Sequence, residues 1–335
     1  MARKGGSGME YIQVKGIERP FSKLVMGTAW FHPDQEDVID EMMGAYIEAG
    51  GNVIDCGRYY GVGACAEKLL KRWLDRSGCR DQVIIIDKAG HPIITPDEEH
   101  HPQYWRVKPD LITEDLYYGL FHTGCDYFDL YEMHRDDPSV PVGELMDRLE
   151  EHRKEGLIKA YGVSNWELPR VEEAMAYCEK KGYQGLVANN PSFSLAKVTA
   201  PRRPGTVHMD EDQVKWHEKH PEVALISWAS QAAGFFVEGL YRRDGSAPQW
   251  IQDVYFTDEN FERMERAKKL ARKKGVESVN IALAYVLCRD FPVAAVIGSR
   301  NTKELNSCVG AMDIKLTQAE LDYLCCRRED DGESR

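Results

Sequence analysis

Long apolar runs are missing from this sequence: no stretch approaches 18 consecutive apolar residues, so a transmembrane helix is not expected. A charged-then-apolar leader ahead of a small-residue cleavage site is also missing, which argues against secretion. Apolar residues nevertheless make up 43% of the chain and charged residues 29%, which is close to the composition of globular proteins. We therefore expect a folded cytoplasmic protein that has no membrane partner.

Positive charge and paired cysteines are also scarce. The 335 residues include 43 Lys and Arg against 55 Asp and Glu, a net charge of -12, so nucleic acid is not an expected partner. The nine cysteines are odd in number and contain no C-x-x-C pair, which argues against a disulfide framework or a zinc ribbon. No metal is expected either, because ligand-pair spacing is absent from the histidines considered: His91, His100, His101 and His134.

What the chain does contain is a regular alternation of short apolar, β-branched runs and longer segments with helical spacing. The eight predicted strands are residues 24–26, 53–55, 83–87, 128–133, 158–163, 186–188, 224–228 and 295–297. The helical segments are residues 38–49, 66–74, 111–122, 142–154, 171–180, 213–220, 261–274 with 281–288, and 304–311. Strands that are apolar on both faces and alternate with helices indicate a parallel sheet.

Because no linker divides the chain, we predict one α/β domain, a single (β/α)8 TIM barrel over residues 9–326. A short hairpin of residues 11–14 and 17–20 is expected before the barrel. A capping box from Thr317 to Glu320 predicts a helix at its C-terminal end. Residues 1–8 are interpreted as a flexible extension or tag, and residues 327–335 as a charged tail.

Ionisable residues lie at the ends of three successive predicted strands. Asp55 closes the second strand, Lys88 follows the third and His134 the fourth, with Tyr60 just beyond Asp55. In a barrel, these positions share the C-terminal rim. An ammonium next to a tyrosine lowers the phenol pKa, so this set suits protonation of an oxygen that gains negative charge during reduction. The alternatives are a structural ion pair between Asp55 and Lys88 and an ordinary rim histidine.

Three motifs in this order resemble those of the aldo-keto reductase family. Residues 52–61 (NVIDCGRYYG) are similar to its Asp and Tyr signature, residues 129–136 (DLYEMHRD) to its His strand, and residues 156–165 (GLIKAYGVSN) to its cofactor strand. The similarity extends over residues 24–311. It implies that Tyr60 donates the proton, that Lys88 and Asp55 tune it, and that His134 orients the carbonyl.

The resemblance also implies a nicotinamide cofactor. The residues expected to bind it are Ser164, Asn165, Asn190, Trp228, Ser230, Gln231, Gly234, Gly298, Ser299, Arg300 and Glu304. Asn190 stands where the family usually has Gln. Trp228 has an alternative interpretation as plain core, Ser164 or Asn165 as an ordinary helix cap, and Arg300 as a solvated cation.

Cofactor choice and substrate are less constrained by the sequence. Arg300 fits the 2′-phosphate of NADP, whereas a carboxylate at Glu304 fits the 2′-hydroxyl of NAD, and we favour NADP(H) with NAD(H) possible. A small carbonyl or sugar-like substrate is expected at the pocket mouth, lined by Trp30, Arg58, Tyr59 and Trp105. The alternatives to an NAD(P)H-dependent reductase are a non-catalytic nicotinamide-nucleotide-binding subunit or redox sensor, and a metal-dependent barrel hydrolase.

Overall fold

The computed structural model describes residues 8–93, 105–201 and 203–332, and its main feature is a closed parallel barrel. Two short strands come first, β1 (Tyr11–Ile12) and β2 (Phe21–Ser22). The barrel strands β3 to β10 are Leu24–Gly27, Val53–Asp55, Ile84–Ala89, Phe128–Met133, Ile158–Ser164, Ala188–Asn190, Ala224–Ser227 and Val293–Ile297. The predicted (β/α)8 barrel is therefore confirmed.

Helices surround the barrel and cover the outer face of its strands. In chain order, α1 to α11 are Glu36–Glu48, Ala66–Ser77, Pro109–Thr123, Val142–Lys154, Leu168–Lys181, Glu211–Lys219, Gln249–Tyr255, Asp258–Lys274, Ser278–Leu287, Thr302–Gly310 and Gln318–Leu324. No helix of the described residues is both long and apolar enough to cross a membrane.

The barrel closes because β10 pairs in parallel with both β3 and β9. Nearly every strand residue is buried, which agrees with the continuous apolar runs in the sequence. The register sets Asp55 opposite Ile86, Lys88 opposite Glu132, and Ser164 opposite Asn190. Polar side chains from neighbouring strands are thereby gathered at the carboxyl end of the barrel.

The predicted N-terminal hairpin is confirmed, but its second strand lies at residues 21–22 rather than 17–20. Tyr11 pairs with Ser22 and Ile12 with Phe21, so residues 13–20 form the connection. Val14 and Ile17 are buried in a cluster with Phe21 beneath the barrel rather than paired in a sheet. Packing against the barrel floor outweighs the local turn signal, and Pro20 has no N–H to give a sheet ladder.

Helix α7 lies between residues 239 and 257, where no helix was predicted. It has only seven residues, and its apolar face consists of Ile251, Val254 and Tyr255. So short a segment gives little periodic signal. The C-terminal helix α11 is confirmed together with its capping box, in which Thr317 and Glu320 bond each other's backbone N–H.

Candidate active site

A buried ion pair lies at the carboxyl end of two adjacent strands. Lys88 on β5 donates from Nζ to the carboxylate of Asp55, the last residue of β4, and also to the carbonyl oxygen of Cys56 at 3.0 Å. Both charged side chains are nearly inaccessible to water. A buried ammonium requires such partners, and Asp55 raises the pKa of Lys88 despite the opposing effect of burial. Lys88 therefore stays protonated and fixed in position.

Tyr60 is placed above this pair by a tight turn after β4, in which its N–H donates to the carbonyl of Gly57 at 2.9 Å. Its hydroxyl lies 3.4 Å from Nε2 of His134, the residue that follows β6. The Lys88 ammonium lies 4.9 Å from the centre of the Tyr60 ring. The structure thus brings together all four residues of the proposed catalytic set.

The protonation states differ from the sequence expectation in one respect. Burial raises the pKa of Tyr60 above its ordinary value of 10, and the opposing effect of Lys88 does not overcome it. His134 has a pKa well below its ordinary value because burial and the neighbouring cations disfavour a second proton. At neutral pH the Tyr60 hydroxyl keeps its proton and the imidazole is uncharged, so an oxygen placed between them can accept hydrogen bonds.

A second group of side chains lies beside the first, across β7, β8 and β9. Asn165 donates from Nδ2 to the carbonyl of His134 at 3.1 Å, and its Oδ1 accepts from Nε1 of Trp228 at 3.1 Å. Asn165 has a left-handed backbone with φ of 60°, which turns its side chain back toward the rim. Trp228 is half-buried, and its indole is held in place by this amide.

Asn190 is fixed from two sides. Its backbone carbonyl accepts from the Ser164 hydroxyl at 2.7 Å, and its Nδ2 donates to Oε2 of Glu132 at 2.9 Å. Its Oδ1 is buried and has no hydrogen-bond partner among the described residues. An unpaired buried acceptor is costly, so this oxygen marks a place for a ligand donor.

Glu132 was not among the site residues predicted from the sequence. This residue is fully buried on β6 between Lys88 and Asn190, and burial raises its pKa to about 7 although Lys88 opposes the shift. The available signal was that the strand FDLYEM carries two carboxylates, Asp129 and Glu132, which lie on opposite faces because they are three residues apart. A charged residue in such a strand indicates a site rather than a core position.

The loop after β9 carries the residues expected at the cofactor phosphates. Ser230 donates to the carbonyl of Val296 on β10 at 2.7 Å, which ties this loop to the next strand. Ala232 and Ala233 have left-handed backbones with φ of 48° and 51°, and Gly234 follows with φ of 82°. The N–H groups of Ala232 and Gly234 donate to the carbonyls of Ala229 at 2.8 Å and Gln231 at 2.9 Å, so this loop is a tight turn with internal hydrogen bonds.

On the far side of β10, Cys308 of α10 links two of the expected adenosine-side residues. Its sulfur lies 3.7 Å from Oε1 of Gln231 and 3.6 Å from the hydroxyl of Ser299, and Gly298 precedes Ser299 at the end of the strand. The Glu304 carboxylate accepts from the backbone N–H of Arg300 at 2.9 Å and from Nδ2 of Asn301 at 2.8 Å. Glu304 is therefore engaged in capping α10, while Arg300 is exposed.

The residues expected at the substrate end are not all directed to the same place. Arg58 pairs with Asp115 and lies 4.1 Å from the ring of Tyr118, both on α3. Tyr59 lies 5.3 Å from the ring of His91, near the catalytic group. Trp30 and Trp105 each have a buried indole N–H without a partner among the described residues.

No group of three or more potential metal ligands occurs in the described parts of the chain. His91 and His134 have ring centres 4.6 Å apart, but His100 and His101 lie outside the described residues. A nicotinamide cofactor, in contrast, fits the residues present. The unpaired Oδ1 of Asn190 matches the N–H donors of a carboxamide, and the fixed, half-buried indole of Trp228 offers a flat surface for a ring.

Comparison with known proteins identifies the class. Residues 23–325 match the model of the aldo/keto reductase family, so this chain belongs to that family. It is 25% identical to the oxidoreductase YrpG of Bacillus subtilis, over 94% of this chain and 95% of the relative. It is 24% identical to the NADP(+) aldo-keto reductase yakc of Schizosaccharomyces pombe, over 87% and 82%. The 6-dehydroglucose reductase of Agrobacterium fabrum is also 24% identical, over 88% and 90%.

Membership in the family establishes the broad chemistry. The protein is an NAD(P)-dependent oxidoreductase of carbonyl and alcohol groups, and its substrates are small carbonyl compounds.

Proposed function

We propose that this protein reduces a carbonyl compound with NADPH, that Tyr60 is the proton donor, and that the reaction is reversible. The observation that carries this proposal is the placement of the Tyr60 hydroxyl 3.4 Å from Nε2 of His134 and above the buried Lys88–Asp55 pair. The bound cofactor supplies hydride to the carbonyl carbon. Tyr60 and His134 then act on the carbonyl oxygen.

Each residue of the set has a distinct task. His134, uncharged at neutral pH, orients the substrate oxygen by a hydrogen bond. Tyr60 transfers its proton to that oxygen as negative charge develops. Lys88 stabilises the phenolate that is left behind, and Asp55 keeps the ammonium in place. The raised pKa of Tyr60 keeps the hydroxyl protonated before the reaction begins.

The cofactor is bound by residues on β7 to β10 and the segments that follow them. Ser164, Asn165 and Asn190 hold the carboxamide, and Trp228 contacts the ring. Ser230, Gln231 and Gly234 bind the pyrophosphate, and Gly298, Ser299 and Arg300 bind the adenosine end. We favour NADP(H) because Arg300 is exposed at the start of α10 while the Glu304 carboxylate is occupied by capping bonds. The NADP(+) relative supports the same choice.

A non-catalytic nucleotide-binding subunit is the second candidate, because such a protein would also hold the cofactor. The two are distinguished by turnover. Purified protein is mixed with NADPH and a reactive aldehyde such as 4-nitrobenzaldehyde, and NADPH absorbance and alcohol formation are followed together. We expect equal amounts of NADP and alcohol, and deuterium in the alcohol when the cofactor carries deuterium at C4. Tight NADPH binding without alcohol, across a panel of aldehydes and sugars, would refute the enzymatic role.

A further inference from the structure

Arg135, which directly follows His134 at the end of β6, is a buried cation without a counter-charge. Its side chain is only 3% exposed. Nη1 donates to the carbonyl of His134 at 2.7 Å, but Nε is buried and has no partner among the described residues. No carboxylate in the described parts of the chain lies within ion-pair distance of this guanidinium, whereas Arg58 and Arg106 both pair with Asp115.

Such an arrangement costs free energy. Removing a guanidinium from water is unfavourable unless an anion compensates it, and the effect is visible in the pKa of Arg135, which burial lowers to about 10. Structural arginines of this chain avoid the cost by pairing, as Arg170 does with Asp136. Arg135 therefore lacks the anionic partner that the other buried arginines have among the described residues.

Its position places that partner beside the reacting groups. Arg135 is close enough to Tyr60 and His134 to influence the pKa of both. Gly205 packs against both Arg135 and Trp105, since a side chain at this glycine would come within 3.3 Å of Cδ of Arg135 and 2.6 Å of the Trp105 ring, and these two residues are therefore neighbours. The indole N–H of Trp105 has no partner among the described residues. Arg135 and Trp105 thus bring two unpaired hydrogen-bond donors and an aromatic ring together beside the catalytic group.

We propose that Arg135 determines substrate specificity by binding a carboxylate on the carbonyl compound that is reduced. This inference rests on the proposed function and names the substrate class for the same site. Nη1 is occupied by the His134 carbonyl, so the edge formed by Nε and Nη2 is the one that receives the carboxylate. That edge presents two parallel N–H groups, which match the two coplanar oxygens of a carboxylate.

The cofactor phosphates are not this anion. The residues proposed to hold them, Ser230 and Ser299, follow β9 and β10, and β7 and β8 separate these strands from β6. Arg135 instead shares its acceptor, the His134 carbonyl, with Asn165. Trp105, which is expected at the substrate end, and Arg135 both lie within 3.3 Å of a Cβ position at Gly205, so the side chain of Arg135 adjoins the substrate end of the site.

The test compares substrates that differ in charge but hardly in shape. The 3- and 4-carboxybenzaldehydes are assayed beside the corresponding carbamoylbenzaldehydes with the wild type, Arg135→Met and Arg135→Lys. Arg148→Gln on α4, far from this site, removes the same charge and serves as the control. We expect the wild type to prefer a carboxylate over its amide by at least about tenfold in kcat/KM. Arg135→Met should abolish that preference by raising KM for the carboxylate alone, and Arg135→Lys should restore part of it.

Two results would overturn the proposal: no preference in the wild type, or an equal loss for carboxylate and amide in Arg135→Met with weakened NADPH binding, which would make Arg135 structural. Binding to the NADPH complex is also measured by calorimetry with benzoate and benzamide. This arm needs no turnover, so it tests Arg135 even if no aldehyde is reduced and the proposed function fails. Equal affinities of the wild type for the two compounds contradict the proposal even if Arg135→Met does not fold. A preference for benzoate that Arg135→Met keeps unchanged also contradicts it, because the donors of Tyr60 and His134 would then account for the preference.

Discussion

Replacing Glu132 by Gln should make the protein less sensitive to pH in both stability and catalysis. The carboxyl of Glu132 is fully buried, accepts from Asn190 at 2.9 Å and lies beside Lys88 in the sheet. Gln has nearly the same shape, and its amide oxygen can accept the same hydrogen bond. The substitution therefore removes the titration and leaves the packing.

The magnitude follows from the pKa of this carboxyl, which burial raises from 4.5 to about 7. A folded state with the higher pKa binds more protons than the unfolded chain, so stability is complete below pH 4.5 and falls as the pH rises to 7. At pH values above 7, the free energy of unfolding has fallen by about 3 kcal/mol. Glu132→Gln has no carboxyl at this position and does not lose this stability. Relative to the wild type, its free energy of unfolding should therefore increase by up to about 3 kcal/mol between pH 4 and pH 8.

The assay is urea unfolding of both proteins across this pH range, combined with the pH profile of kcat/KM. Glu67→Gln is the matched control, because burial also raises the pKa of Glu67 to about 7, but this residue lies on α2 outside the barrel. Both variants should flatten the stability profile. Only Glu132→Gln should remove an inflection near pH 7 from the kinetic profile, since only Glu132 adjoins Lys88 and Asn190.

If the free energies of unfolding of Glu132→Gln and the wild type differ by the same amount at every pH, the raised pKa of Glu132 is contradicted. The claim that Glu132 produces the inflection near pH 7 in the kcat/KM profile is refuted if both variants keep this inflection, or if Glu67→Gln also loses it.

Three further predictions concern catalysis and the cofactor. Lys88→Met should lower kcat and shift its pH profile because the Tyr60 phenolate loses its ammonium, and an unchanged profile would make Lys88 structural. Trp228→Ala should weaken cofactor binding and slow reduction, as measured by fluorescence titration and single turnovers, whereas lost stability with normal kinetics indicates core packing. Arg300→Ala should weaken NADPH selectively by roughly 1.5–3 kcal/mol. Glu304→Gln should increase the preference for NADPH over NADH. If the wild type binds NADH more tightly than NADPH, the predictions for Arg300 and Glu304 are both contradicted.

The strand and helix order was predictable because it depends on local periodicity. Strands β4 and β6 and helix α4 were predicted with the bounds they have in the structure, since each is a continuous or amphipathic run between clear breaks. The hairpin was not predictable to the same degree. Whether residues 17–20 pair or pack depends on the barrel floor beneath them, which distant segments build.

The contacts of the arginines at the site were also not predictable from the sequence alone. Arg58 was predicted at the pocket mouth, and the sequence did not show that its guanidinium pairs with Asp115 of α3. Arg135 was overlooked although it follows the candidate His134 directly. The pKa of Tyr60 was predictable only in part. The predicted adjacency of Lys88 gives the sign of its effect on this pKa, but the extent of burial depends on the closed barrel.

The most direct test of the central claim is a single-turnover measurement on Tyr60→Phe, which removes the hydroxyl and keeps the ring. NADPH binding is measured first by fluorescence titration, and hydride transfer to an aldehyde is then followed in the same mixture. We predict near-normal NADPH affinity and a rate of reduction lower by at least about 100-fold, the loss expected when a general acid is removed. Reduction at the wild-type rate by the folded, NADPH-bound variant would contradict the assignment of Tyr60 as the proton donor.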